Sequence, residues 1–175
     1  MARRPPERVD PWLLAEQERT LEGRIPLGAL SRLAPLLMED SGEAAFVLKF
    51  FRDDHGRHRV NCRVEARLQL ECQRCLEAME HSVAREGELA LVQGLLEAGR
   101  LPDELDPLLL QENELLTIGD LVEDELLLSL PAVPRHAHRC GAALVPPAGQ
   151  TPDGPAPDNP FAVLAALKGD DTDHN

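Results

Sequence analysis

The sequence predicts an α+β domain: a small antiparallel β-meander that carries a Cys-x-x-Cys turn and packs against helices. Three observations support this fold class. Residues 59–70 alternate without a break between polar and apolar side chains, which is the period of a strand with one buried face. The segment from Thr117 to Leu130 carries helix start and stop signals. The 175 residues are 43% hydrophobic and 28% charged, as in a globular chain that can bury a core.

The first elements are a short helix, an extended piece and a helical turn. Asp10 is a residue type that caps helices, and Pro11 suits the first helical position, so a helix is predicted to begin there. Trp12 is expected to anchor it to the core. A short extended piece is predicted at Gly23–Leu27, and Pro35 weakens the amphipathic helical turn that follows.

Three strands are predicted between residues 44 and 92. The first covers 44–51 and is joined by a turn to the second at 59–70. A less regular third strand is expected from His81 to Val92. Cys62 lies on the apolar face of the second strand and is therefore expected to be a small core residue.

An acidic loop of about residues 93–116 is predicted to follow the meander. Residues 91–130 contain ten acidic side chains and one basic side chain, which accounts for −9 of the net charge of −13. Pro102 and Pro107 interrupt regular structure in this segment. Long loops are usually functional or disordered, so this one is a candidate surface for a basic protein.

The helix at Thr117–Leu130 is predicted from its ends. Thr117 can cap it, Asp120 lies where a capping-box partner would, and Pro131 ends it. The acidic run at residues 123–125 is expected to be solvated and to complement the helix dipole.

The chain is expected to divide into a single domain at 1–145, a Pro-rich linker at 146–160, and a short helix with a disordered tail at 161–175. The terminal helix is interpreted as a docking peptide for a protein partner. The side chains expected to dock are Phe161, Leu164 and Leu167.

The charge pattern restricts nucleic-acid binding to one region. A net charge of −13 excludes a surface that binds polyanions everywhere, and five aromatic residues are too few for a base-stacking platform. Residues 49–75 contain seven basic side chains and four acidic ones. These charges are either the solvated face of the sheet or contacts to nucleic-acid phosphates. The candidate contacts are Arg57, Arg59, Arg63, Arg67 and Arg74.

The cysteines suggest a metal site. Cys72 and Cys75 follow the strongest predicted strand, where a tight turn can direct both sulfurs at one point. Cys140, with His136 or His138, would complete a Cys3His site for structural zinc. Plain reduced thiols and a redox dithiol are the alternatives. A thioredoxin-like dithiol would begin a helix, whereas this pair is expected to link antiparallel strands.

The sequence contains no recognised catalytic motif, so no catalytic residues and no small-molecule substrate are expected. Neither a signal-peptide pattern nor a run of apolar residues long enough to span a membrane occurs, which leads us to expect a cytoplasmic protein.

Three segments resemble the signature blocks of the bacterial large ribosomal RNA subunit accumulation (YceD) family. They are LECQRCLE at 70–77, LVEDELLLSLPAVPRHAHRC at 121–140 and NPFAVLAALK at 159–168. The resemblance implies a non-enzymatic accessory factor in the synthesis, processing or stability of large-subunit (23S) rRNA. Its partner would be that rRNA or a pre-ribosomal particle. The alternative is a zinc-stabilised adaptor whose acidic loop and C-terminal helix bind a ribosomal protein or a processing enzyme.

Overall fold

The structure, a computed structural model, describes residues 6–111 and 113–140. In chain order its elements are β1 (Arg8–Val9), α1 (Pro11–Glu16), β2 (Thr20–Pro26), β3 (Glu43–Arg52), β4 (His58–Glu71), β5 (Ala78–Val92), α2 (Leu95–Ala98), β6 (Asp106–Leu109), β7 (Leu116–Thr117) and α3 (Ile118–Leu128). These elements confirm the predicted α+β class. The predicted linker at 146–160 and the docking helix with Phe161, Leu164 and Leu167 lie outside the described residues.

The main sheet has five strands in the order β2-β3-β4-β5-β6. Strands β2 to β5 form an antiparallel meander, and β6 pairs in parallel with β5. A separate two-stranded ladder joins β1 to β7, which places the N-terminal segment beside the start of α3. The predicted three-strand meander therefore has an additional edge strand on each side.

Of the two additional strands, β2 falls partly where a short extended piece was predicted, and β6 falls where irregular structure was predicted. Strand β2 includes the piece predicted as short and extended, and β6 lies inside the predicted acidic loop, as does the short helix α2. Gly23 interrupts the apolar alternation of β2, and Pro107 lies within β6. An edge strand tolerates Pro because one side of its backbone needs no partner, and Gly adds no side chain to the alternation, so both strands give a weak signal in the sequence.

The core lies on one face of the main sheet. Alternate residues of β3 and β4 are buried there, and α3 packs across the same face. Burial of each such large apolar side chain stabilises the fold by about 1.5–3 kcal/mol. The side chains without measurable exposure include Leu48, Phe50, Val60, Val64, Leu68, Val122 and Leu126.

Cys62 is confirmed as a core residue. Its side chain is fully buried on the inner face of β4, opposite Gly87 of β5. Removal from water disfavours the thiolate, so burial raises the pKa of the Cys62 thiol to about 12. This cysteine is therefore a neutral apolar group with no part in a metal site.

The predicted helix start at Asp10 is confirmed. The Asp10 carboxylate accepts hydrogen bonds of 3.0 Å from the backbone N–H groups of Trp12 and Leu13. The helix ends after six residues, and Glu18 adopts a left-handed φ of 48° shortly afterwards. The expected helical turn near Pro35 is present as two 3₁₀ turns, Leu27–Ala29 and Ala34–Leu36.

The prediction that the acidic run at 123–125 is solvated is wrong for two of its three residues. Glu123 is only 3% exposed, and its carboxylate accepts the backbone N–H groups of Arg32 at 2.7 Å and Leu33 at 3.0 Å. Arg32 Nε donates to the same carboxylate at 2.7 Å, while Arg32 Nη1 donates to the exposed Asp124 at 2.6 Å. The acids of α3 thus fix the loop that joins β2 to β3.

Glu125 is the second buried acid. It is 3% exposed and accepts a hydrogen bond of 2.5 Å from Arg85 Nε on the inner face of β5. A Cβ atom at Gly87 would lie 3.3 Å from both Glu125 carboxylate oxygens. Because Gly87 has no side chain, the Glu125 carboxylate of α3 has space to pack against β5.

Candidate functional site

The turn between β4 and β5 holds the first two sulfur atoms of the candidate metal site. The backbone N–H of Cys72 donates to Glu77 O at 2.9 Å, and that of Leu76 donates to Cys72 O at 2.8 Å. Leu76 adopts a φ of 62°, a left-handed conformation that reverses the chain immediately after Cys75. Cys72 and Cys75 are thereby held on one side of a hydrogen-bonded turn.

The segment that follows α3, residues 129–140, comes back to this turn and completes the candidate site; it is called the returning segment below. Gln73 N–H donates to Pro134 O at 2.9 Å, which fixes the start of the returning segment. The donor atoms of four side chains then lie within 4.8 Å of one another. These side chains are Cys72, Cys75, His136 and Cys140.

The geometry of the cluster fits a tetrahedral zinc site. The Sγ atoms of Cys72 and Cys140 are 3.6 Å apart, and Cys75 Sγ lies 3.5 Å from His136 Nδ1. Tetrahedral bonds of about 2.3 Å to sulfur and about 2.0–2.1 Å to nitrogen place ligand atoms about 3.5–3.8 Å apart. These two pairs already have that spacing, and the four residues together could hold a metal ion.

One of the two candidate histidines is selected by its orientation. His136 Nε2 donates to Ala78 O at 3.2 Å, which leaves Nδ1 directed at the sulfurs. Ligating histidines usually have such a carbonyl partner on the second ring nitrogen. His138 lies beside the His136 ring, with centroids 4.7 Å apart, and is not one of the four clustered donors.

The protonation of the thiols is shifted by their surroundings. Desolvation raises the pKa of Cys72, but backbone N–H groups, first that of His136, outweigh it and lower the pKa to about 5. The Glu77 backbone N–H lowers the pKa of Cys75, whereas desolvation and the neighbouring thiols raise it, and the result is about 11. The cluster therefore concentrates negative charge that a divalent cation would compensate.

The local structure differs from that of a redox dithiol. Cys72 and Cys75 connect two antiparallel strands directly and do not begin a helix. In thioredoxin-like sites, a helix N-terminus lowers the pKa of the attacking thiol. Here backbone donors of a β-turn and of the returning segment provide that stabilisation.

The structure distributes the five candidate arginines over different environments. Arg57 Nε donates to Asp53 at 2.7 Å, and Arg59 forms a 2.6 Å ion pair with Glu88. Arg74 Nε donates to Cys140 Sγ at 3.1 Å. Arg63 and Arg67 are exposed on the outer face of β4. Three of the five side chains, Arg57, Arg59 and Arg74, therefore contact acceptors within the protein.

The outer face of the sheet carries mixed charge. Glu86 lies opposite Arg63 in β5, and Ser82 lies opposite Arg67. Arg63 also donates to the neighbouring Glu65 at 2.8 Å, while its own side chain stays 59% exposed. Arg67 makes no ion pair among the described residues. Other charged side chains of this face include Glu22, Arg24, Lys49, Glu80 and Glu88.

Within the described ranges, no helix is both long enough and apolar enough to cross a membrane.

Comparison with known proteins identifies the family. A family model described as large ribosomal RNA subunit accumulation protein YceD matches residues 60–168, which include all four clustered donors. The large ribosomal RNA subunit accumulation protein YceD of Haemophilus influenzae is 32% identical over 166 residues, covering 93% of this chain and 95% of the relative. No solved structure matches the chain. The resemblance seen in three sequence blocks is confirmed, and the chain belongs to the YceD family of large ribosomal RNA subunit accumulation proteins.

Proposed function

We propose that this protein is a non-enzymatic accessory factor in the synthesis, processing or stability of large-subunit (23S) rRNA. Family membership carries the proposal, because the matching family model and the relative are both named for large ribosomal RNA subunit accumulation. Its partner is that rRNA or a pre-ribosomal particle.

The metal centre has a structural role in this proposal. Zinc would be held by Cys72, Cys75, His136 and Cys140, which provide four protein ligands. Catalytic zinc sites keep a position open for water or substrate, whereas four protein ligands close the coordination sphere. The ion, when bound, supplies a cross-link between the β4–β5 turn and the segment after α3.

The candidate contact surface centres on Arg63 and Arg67. Both are exposed on the outer face of β4, four residues and therefore about 13 Å apart along the strand. Arg57, Arg59 and Arg74 donate to acceptors within the protein, whereas Arg63 stays 59% exposed although it donates to Glu65. The negative charge elsewhere would limit indiscriminate binding to RNA.

Reversing the two exposed arginines tests this surface. The double variant Arg63→Glu/Arg67→Glu is expected to co-sediment less with pre-ribosomal particles. If each side chain contacts one phosphate, the slope of log affinity against log salt concentration should fall by about two. Both residues are exposed, so the melting temperature should remain close to that of the wild type.

The matched control is Arg8→Glu/Arg100→Glu, which changes net charge equally at exposed positions on β1 and after α2. It should associate with particles like the wild type. Equal association of the two double variants would show that Arg63 and Arg67 are not the contact.

A further inference from the structure

We infer that Arg74 is the positioning residue of the metal centre: its guanidinium holds residues 136–140 against the Cys-x-x-Cys turn and compensates the charge of the thiolates. The inference rests on the metal site proposed above. It assigns Arg74 a role inside the protein, although its place in a basic stretch first suggested a phosphate contact.

The contacts of Arg74 all reach the returning segment. Its Nε donates to Cys140 Sγ at 3.1 Å, and its Nη2 donates to His136 O at 3.2 Å and also to His138 O. Guanidinium is the side-chain group that presents several donors in a fixed planar fork. Arg74 therefore holds one ligand sulfur and two carbonyls of the backbone that leads to it at the same time.

The end of the returning segment needs such a partner because its other contacts, through Pro134 O and His136 Nε2, come before Cys140. Cys72 and Cys75 lie in a turn fixed by backbone hydrogen bonds between two paired strands. Residues 129–140 contain no helix or strand, and Cys140 is only half buried. Cys140 is thus the ligand whose position depends most on a side chain.

Charge supports the same assignment. Three thiolates and one neutral imidazole around Zn²⁺ leave a single net negative charge. The Arg74 guanidinium, in contact with Cys140, neutralises it. A hydrogen bond to a ligating atom also fixes the orientation of that ligand, and loss of such outer-shell partners typically costs about 10–100-fold in metal affinity.

The chain offers a matched control next to the same ligand. Arg139 is adjacent to Cys140 and is exposed, and it makes no hydrogen bond or ion pair within the described part of the chain. Arg139→Ala removes the same charge from the same neighbourhood without removing a contact to sulfur. The comparison separates the specific contact from a general electrostatic effect.

The experiment measures the zinc affinity of the full chain by chelator competition. Arg74→Ala is expected to bind Zn²⁺ about 10–100-fold more weakly than the wild type, and Arg139→Ala within about twofold. Arg74→Lys should be intermediate, because an ammonium keeps the charge but cannot serve the sulfur and two carbonyls in one plane. Alkylation of the zinc-loaded protein should accelerate at Cys140 in Arg74→Ala.

Two outcomes would overturn the inference, and they are distinguishable. If the wild type binds zinc and Arg74→Ala and Arg74→Lys bind it equally well, Arg74 does not position the site, but the metal proposal stands. If the wild type itself binds no zinc, the metal proposal fails and the role of Arg74 toward it fails as well. Arg74→Lys keeps the test decisive if Arg74→Ala does not fold.

Discussion

Removing the metal from the wild-type protein is expected to lower its melting temperature by about 8–16 °C. A ligand present at about 1,000 times its dissociation constant stabilises the folded state by about 4 kcal/mol. For a chain of this size, each kcal/mol corresponds to about 2–4 °C. Cys72→Ser should have a similar effect without chelator, because Cys72 is a fully buried ligand in the turn on which the cluster is built.

The measurement is thermal unfolding with and without chelator, accompanied by the zinc content of the native protein. The Cys72→Ser variant is its own control, since chelator should change its melting temperature little. An unchanged melting temperature for zinc-loaded wild type after chelation would contradict a structural role for the metal.

The second large effect is expected at Glu123. Glu123→Ala should destabilise the protein by about 3 kcal/mol, because it leaves the backbone N–H groups of Arg32 and Leu33 without their acceptor, at about 1–3 kcal/mol for each buried donor. Urea unfolding at neutral pH measures this loss. The adjacent Asp124→Asn removes an exposed partner of the same Arg32 and should cost less than about 1 kcal/mol. Similar losses in the two variants would contradict the account.

Glu123 also gives the stability a pH dependence. Burial opposes its ionisation, but the N–H of Leu33 and the backbone and side chain of Arg32 outweigh burial and lower the pKa of Glu123 below its ordinary 4.5. The ionised group therefore contributes stability above pH 4.5, and this contribution is lost as the pH falls through the lowered folded pKa. Glu123→Gln should reduce this acid-induced loss, whereas an unaltered pH profile would be inconsistent with the assignment.

The sequence predicted the central meander because β3 and β4 alternate regularly between core and solvent. The sequence also predicted that the three cysteines of the cluster share one site. For Cys72 and Cys75 the reason is that a turn after a strong strand restricts where their side chains can point. It did not choose between His136 and His138, because spacing alone does not show which ring finds a carbonyl partner. That partner, Ala78 O, belongs to a strand more than fifty residues earlier in the chain.

The buried acids and Arg74 could not be predicted for a related reason. Charged side chains are mostly exposed, so an acidic run on a helix is expected to face solvent unless buried partners for it are known. The partners of Glu123 lie about ninety residues away, in a loop with no pairing signal in the sequence. The sequence shows that Arg74 is charged. Its hydrogen bonds to Cys140, His136 and His138 depend on the path that the segment after α3 takes back to the turn.

The proposed role of this protein is in the synthesis, processing or stability of large-subunit rRNA. The most direct test is the ratio of large-subunit to small-subunit rRNA in cells depleted of the protein. Depletion is expected to lower the large-subunit species selectively. A wild-type copy should restore the ratio, and a Cys72→Ser copy should restore it less well if the metal centre supports the function. An unchanged ratio after depletion would contradict the proposed role.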